Sequence, residues 1–199
     1  MNTQNSIPAA AVVVTHQIQN YENWKRAFDA HATARRAAGI VAAHINRHAS
    51  DPNTVSIYLA GTDASRLAAF LSSADLMSTM RDAGVKGPPH LATITPVEDL
   101  TVKNRPLAGA IVRHEVRDFD TWKRAFDTHA PARAQAGIVG HAVNRLTDRP
   151  NVVVIYIQAE TLSALEAFTT SADLKATMQN AGVVGAPDIT FAQGSAWEN

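Results

Sequence analysis

The sequence predicts an α+β protein made of one β-α-β-β-α-β unit written twice, and three observations carry that prediction. Trp24-Lys25-Arg26-Ala27-Phe28-Asp29 returns as Trp122-Lys123-Arg124-Ala125-Phe126-Asp127, an offset of 98 that aligns the remaining chain without a gap. About 39 of some 88 aligned positions are identical, which chance does not produce over a gapless stretch. Within each copy, β-branched runs, which mark strands, alternate with stretches whose residues recur at steps of three and four, the period of a helix. A two-copy repeat means duplicated domains, since a solenoid needs at least three units.

The elements follow in order. Ala10 to Ile18 is apolar and β-branched, hence a strand. Tyr21, Trp24, Phe28, His31 and Arg35 then fall on one face of a single helix, with Lys25 and Asp29 paired on a solvated face. Gly39 closes that helix as a C′ residue. Ile40 to His48 and Val55 to Leu59 are two strands joined by the turn composition Ser50-Asp51-Pro52-Asn53. Helix returns from Ala64 to Leu71, restarts at the N-cap Ser73 and stops at Gly84. Leu91 to Ile94 supplies the last strand. The second copy repeats this order after a polar, proline-containing linker.

A β-α-β-β-α-β unit forms a four-stranded antiparallel sheet with both helices on one face, the ferredoxin-like arrangement. The bare sheet faces of two copies are covered most economically by each other. The expected architecture is therefore two ferredoxin-like units, residues 9–98 and 107–196 with a linker at 99–106, packed sheet to sheet as an intramolecular dimeric α/β barrel. Further homo-oligomerisation stays open. On the first strand Val12, Val14, His16 and Ile18 form the more apolar side, expected to face the helices.

Composition narrows the function classes. The chain has 199 residues, 46% hydrophobic and 18% charged, with eighteen basic residues balancing eighteen acidic ones. Both signs are evenly represented in each half, so a nucleic-acid footprint has no electrostatic support. There is no cysteine, which excludes disulfides, thiolate nucleophiles and Cys-ligated zinc. Met1 to Ala10 lacks the basic region of a signal peptide, and the apolar run at Ala9 to Val14 is too short to span a bilayer. A cytoplasmic protein with no membrane partner is expected. Neither G-x-G-x-x-G, P-loop nor G-x-S-x-G occurs, so nucleotide and serine-hydrolase readings lack their signatures, and the expected cofactor is none. His44 and His48 are four apart, but on a strand rather than the helix zincins use, so no metal site is expected either.

A strand ending in His, then Trp-Lys-x-x-Phe-Asp-x-His, an Arg four residues later and Gly-Ile closing the helix together resemble the small dimeric α/β-barrel proteins. The later Ser-x-x-Leu…Met…Ala-Gly-Val-x-Gly-x-Pro fits the same pattern. These belong to the superfamily that holds the antibiotic-biosynthesis monooxygenases and proteins labelled cyclase-like. The resemblance covers nearly all of both copies and implies the fold. It also implies that single-copy relatives dimerise through their sheets and that this chain has fused the two partners. The superfamily hosts oxygenases, haem-degrading enzymes, isomerases and proteins with no known reaction, so the fold does not name an activity.

The candidate ligand-binding residues are His16, Trp24, His31, Arg35 and Asn46, with His114, Trp122, His129, Arg133 and Asn144 as their repeats. His31 and Arg35 continue the apolar helix stripe, and His16 lies on the helix-facing side of its strand. Two imidazoles, a guanidinium and an aromatic ring then converge beneath the first helix. Such a site suits a small anionic or aromatic molecule, with Arg pairing a carboxylate or enolate and His moving a proton. The structural reading of the same residues is that Arg35 serves the helix dipole and the histidines bond within the core. Trp24, Phe28 and Tyr58 read as core, and Asn46 as a hairpin bond or a polar group in a pocket. His44, His48, His90 and His141 do not recur and read as surface or seam. Two function classes stay open: a cofactor-independent oxygenase, cyclase or isomerase acting on a small aromatic or polyketide-like substrate, and a non-catalytic binding or structural protein. A haem-binding variant ranks third. The volume beneath the first helix discriminates between the first two.

Overall fold

In a computed structural model of the chain, the described residues are 7–195, Trp197 and Glu198. Residues 1–6, part of the leader reading, and Ala196, the expected end of the second unit, lie outside them. The first copy runs β1 (Ala10–Ile18), α1 (Tyr21–Ala30), α2 (Ala32–Ala37), β2 (Ile40–His48), β3 (Thr54–Gly61), α3 (Ala64–Leu71), α4 (Ala74–Asp82) and β4 (Val85–Asp99). The second runs β5 (Ala108–Val116), α5 (Phe119–Thr128), α6 (Ala130–Gln135), β6 (Ile138–Leu146), β7 (Val152–Ala159), α7 (Leu162–Thr169), α8 (Ala172–Asn180) and β8 (Val183–Gly194).

Local chemistry sets the helix ends. The side chains of Asn20, Asp63 and Ser73 each accept a backbone N–H from three residues on, capping α1, α3 and α4. Asp118, Thr161 and Ser171 do the same in the second copy. Gly39 and Gly137 leave α2 and α6 at φ +81° and +83°, a region L-residues with a Cβ avoid.

The eight strands close into one barrel in the order β1-β3-β2-β8-β5-β7-β6-β4. Two antiparallel seams join the copies. β4 pairs with β6 from Ile94↔Leu146 to Asp99↔Ala142, and β2 pairs with β8 from Asn46↔Gly194 to His48↔Ala192. Closure removes the sheet edges that each unit alone would expose. The helices lie outside, and three apolar clusters result. Two sit between helices and sheet, one per copy, around Trp24 and around Trp122. The third fills part of the barrel lumen around Ala11, Ile94 and Leu146. No described helix is long and apolar enough to cross a membrane.

Two expectations need correction. The first helix is two helices, broken at His31 (φ −83°, ψ 7°), and the second copy breaks identically at His129. The last strand is fifteen residues long rather than four, because its first part pairs with β1 and its last part crosses to β6. The segment between β4 and β5 is partly packed against the barrel. Thr101 and Leu107 are buried, and the Val102 backbone exchanges two hydrogen bonds with the Gln158 side chain.

Candidate functional site

β1 has the expected parity. Val12, Val14 and Ile18 are buried in the helix-side cluster, while Val13 packs in the lumen. His16 therefore points under the helices, and so does His114 on β5. Each sits opposite a bulge. Thr15 pairs with His90 and Gln17 with Lys86, so three residues, Gly87 to Pro89, bow out across from His16 alone. The register of β5 slips in the same way between Arg113 and Glu115. The bulge opens space that a regular ladder would close.

The helix stripe fills the opposite wall. The Trp24 ring meets His16 edge-on at 5.8 Å and stacks on Phe28 at 5.3 Å, and the Arg35 guanidinium lies 3.6 Å over Phe28. The second copy repeats the column, with His114–Trp122 at 5.7 Å, Trp122–Phe126 at 5.1 Å and Arg133 at 3.7 Å over Phe126. Arg35 also donates to the Phe28 carbonyl, one of the acceptors that the break at His31 leaves open, and Arg133 donates to the Phe126 carbonyl. His31 Nε2 donates to Asp75 Oδ2 at 2.7 Å and His129 Nε2 to Asp173 at 2.7 Å, fastening each helix elbow to α4 or α8.

Each set of residues surrounds a cavity. The first, about 70 Å³, has Val14, His16 and Ile57 as its floor, Trp24 and Phe28 as its wall, and Leu76, Thr79 and Met80 of α4 as its roof. The second, about 60 Å³, is lined by the matching residues of copy two. His16, Trp24, His31 and Arg35 thus line one cavity, and His114, Trp122, His129 and Arg133 the other. Both walls are largely apolar. The exception lies at the floor: His16 is 7% exposed and His114 5%, and neither ring nitrogen of either residue has a hydrogen-bond partner. Burial lowers both imidazoles to about pKa 4, so both rings are neutral at pH 7, each with one donor and one acceptor unengaged.

Asn46 and Asn144 lie elsewhere. Both are buried in the lumen, lining a smaller cavity of about 40 Å³ with Tyr58, Tyr156 and Trp197. Asn46 Nδ2 donates to His44 Nδ1 at 3.1 Å, and Asn144 Nδ2 donates to the Val154 carbonyl at 3.1 Å. His44, read from the sequence as surface or seam, is 2% exposed, stacks on Trp197 at 4.7 Å and donates to the Ser195 carbonyl at 3.0 Å. Sequence reasoning missed Asp75 and Asp173, although both recur at the offset of 98 and so carried a findable signal. It also missed Glu98 and Glu198, which bind Lys123 and Lys25 across the pseudo-two-fold. They lie 100 residues apart and escape the alignment. Among the described residues, no group of three His, Asp or Glu side chains is placed to hold a metal ion.

No family model matches the sequence, and no curated protein does. Solved structures do match in shape over nearly the whole chain. A protein from Lactobacillus acidophilus NCFM, provisionally assigned as a monooxygenase, aligns at TM-score 0.69 with 11% identity, over 98% of this chain and 97% of its own. An anthrone oxidase-like protein aligns at 0.65 with 14% identity, over 95% and 92%. A ferredoxin-fold protein related to antibiotic biosynthesis monooxygenases, from Listeria monocytogenes 4b F2365, aligns at 0.50 with 11% identity, over 92% and 94%. At these identities the likeness establishes the fold: this chain has the dimeric α/β-barrel architecture in fused form.

Proposed function

We propose that the chain binds a small, mainly apolar, ring-shaped molecule in each of its two helix-covered cavities, with His16 and His114 supplying the directed hydrogen bond. The observation that carries this reading is the pair of neutral imidazoles facing the cavities with all four ring nitrogens unpartnered. Each unsatisfied buried polar group costs about 1–3 kcal/mol. A ligand carbonyl or hydroxyl removes that cost.

The two copies support the same reading from a different side. Of the seventeen residues lining the first cavity, fourteen are identical at the matching position of the second; the exceptions are Leu59/Ile157, Leu71/Thr169 and Leu91/Ile189. Burial alone does not explain this. None of the six buried residues of the lumen cluster keeps its identity in the other copy. The cavity wall was held while the more deeply buried lumen drifted.

Size and charge refine the ligand. A volume of about 70 Å³ holds only a few atoms and is well below the several hundred Å³ of an open ligand cleft. Entry of a ring therefore requires the roof to lift, and α4 and α8 suit that role because neither has a single buried residue. Catalysis is a second reading, favoured by the name of the anthrone oxidase-like neighbour, since an anthrone is a flat ketone with an acidic C–H. In that reading His16 takes the proton. An imidazole at about pKa 4 is a weak base, however, and a proton moving to it from a group of ordinary phenolic pKa climbs roughly 8 kcal/mol. Binding is therefore the primary reading.

A thermal-shift screen of small neutral aromatic ketones and phenols, followed by tryptophan fluorescence, tests it. We expect hits that quench Trp24 and Trp122 and fail in the His16→Phe/His114→Phe variant. A screen without hits, or hits indifferent to both histidines, contradicts it.

A further inference from the structure

We infer that the two cavities differ in the charge of the ligand they accept: the second takes an aromatic carboxylate, and the first takes only a neutral molecule. This rests on the binding reading above and sharpens it.

The walls are nearly the same, but the surroundings of the two guanidinium groups are not. Arg35 Nη2 meets Glu198 Oε2 at 3.1 Å, and the same carboxylate holds Lys25 at 3.2 Å. Glu198 is delivered there by the C-terminal segment, whose backbone at Glu198 exchanges two hydrogen bonds with Ala43, at 2.8 and 2.9 Å. The position matching Ala43 in the second copy is His141. Its Nε2 takes Glu98 Oε1 at 2.7 Å, while Lys123 takes Oε2 at 3.1 Å. One substitution thus captures the carboxylate that serves the second copy. Arg133, 5% exposed, keeps only the Phe126 carbonyl and ring and forms no ion pair among the described residues. Glu98 and Asp127 act on Arg133 only from beyond ion-pair distance, so a ligand carboxylate offering a direct charge-assisted hydrogen bond would satisfy this guanidinium better. Beside Arg35 the same anion would have to displace Glu198.

Isothermal titration of the full-length chain at pH 7 with benzoate and its neutral isostere benzamide tests this. The expected result is two benzamide sites per chain and one benzoate site. Arg133→Met should weaken benzoate at least tenfold and benzamide much less, and Arg133→Lys should restore much of the benzoate affinity. Glu198→Gln, which frees Arg35, should raise benzoate stoichiometry to two. Benzamide binding with benzoate at neither site or at both, or benzoate binding untouched by Arg133→Met, overturns the charge assignment and leaves the binding reading intact. Failure of both compounds to bind overturns both.

Discussion

Arg35 and Arg133 show how one residue type at one repeat position comes to carry different energetic weight. Both were visible in the sequence as the last members of a helix stripe, and both line the cavities that the stripe predicted. What they touch was not visible. Glu198 lies 163 positions from Arg35, and no periodicity connects them. The structure answers the structural reading in part: each arginine satisfies a carbonyl at the helix break, and Arg35 has an acid partner besides. Arg35→Leu should therefore strand the Phe28 carbonyl and release Glu198. The expected loss is about 2–3 kcal/mol, or roughly 5–10 °C in melting temperature. Arg133→Leu strands one carbonyl but breaks no direct ion pair, since Glu98 and Asp127 act on Arg133 only at longer range, so it should cost markedly less. Thermal unfolding of the two variants side by side checks this, and equal losses would count against the asymmetry. The histidines are the opposite case. Strand parity alone placed His16 and His114, and the surroundings confirm that placement without supplying any partner.

At the scale of elements, the informative ones are those that the sequence described incompletely. Tyr21 to Ala37 is rich in helix formers, and nothing local marks the break at His31. The break is a tertiary feature, held by Arg35 from one side and Asp75 from the other. Gly87-Pro88-Pro89 fall outside the strand expected at Leu91 to Ile94, and proline cannot donate to a ladder, yet these residues form the bulge inside β4 that makes room over His16. The roof helices are the elements best suited to motion. α4 is docked by half-buried Leu76, Thr79 and Met80 and by the His31–Asp75 contact, and no residue of it is fully buried. Local opening of such an element costs less than global unfolding. Asp75→Ala should accelerate amide hydrogen exchange in α4 at least severalfold and leave α8 unchanged, with Asp173→Ala showing the reverse. Exchange that speeds up across the whole copy would mean that the contact holds the fold rather than the roof.

The whole molecule explains why the repeats diverged where they did. In a two-fold dimer every lumen contact occurs twice, so a bulky side chain must be accommodated twice. Fusion lifts that constraint. The Tyr156 ring lies where a Cβ on Gly109 would come within 2.4 Å of its hydroxyl, while the matching position of the first copy is Ala11 and Tyr58 meets Trp197 instead. The helix-side cavities face no symmetry mate and kept their walls. Barrel closure was legible from the repeat and the one-sided helix cover; the pairing across the copies was not, because β4 and β8 make it by extending past the short strand expected at Leu91 to Ile94 and its repeat. The central claim is that His16 and His114 are neutral, unpartnered floors of two ligand cavities. Nitrogen-15 NMR titration of histidine-labelled protein, with each signal assigned by single His→Gln variants, tests it most directly. Because the folded rings sit at about pKa 4, below the unfolded value of 6.5, their contribution to stability is complete above pH 6.5 and drains as pH falls toward 4. The account predicts both rings titrating near 4 in the free protein and ring-nitrogen shifts on addition of any compound that stabilises it. Rings that titrate near 6.5, or that ignore every stabilising compound, would contradict it.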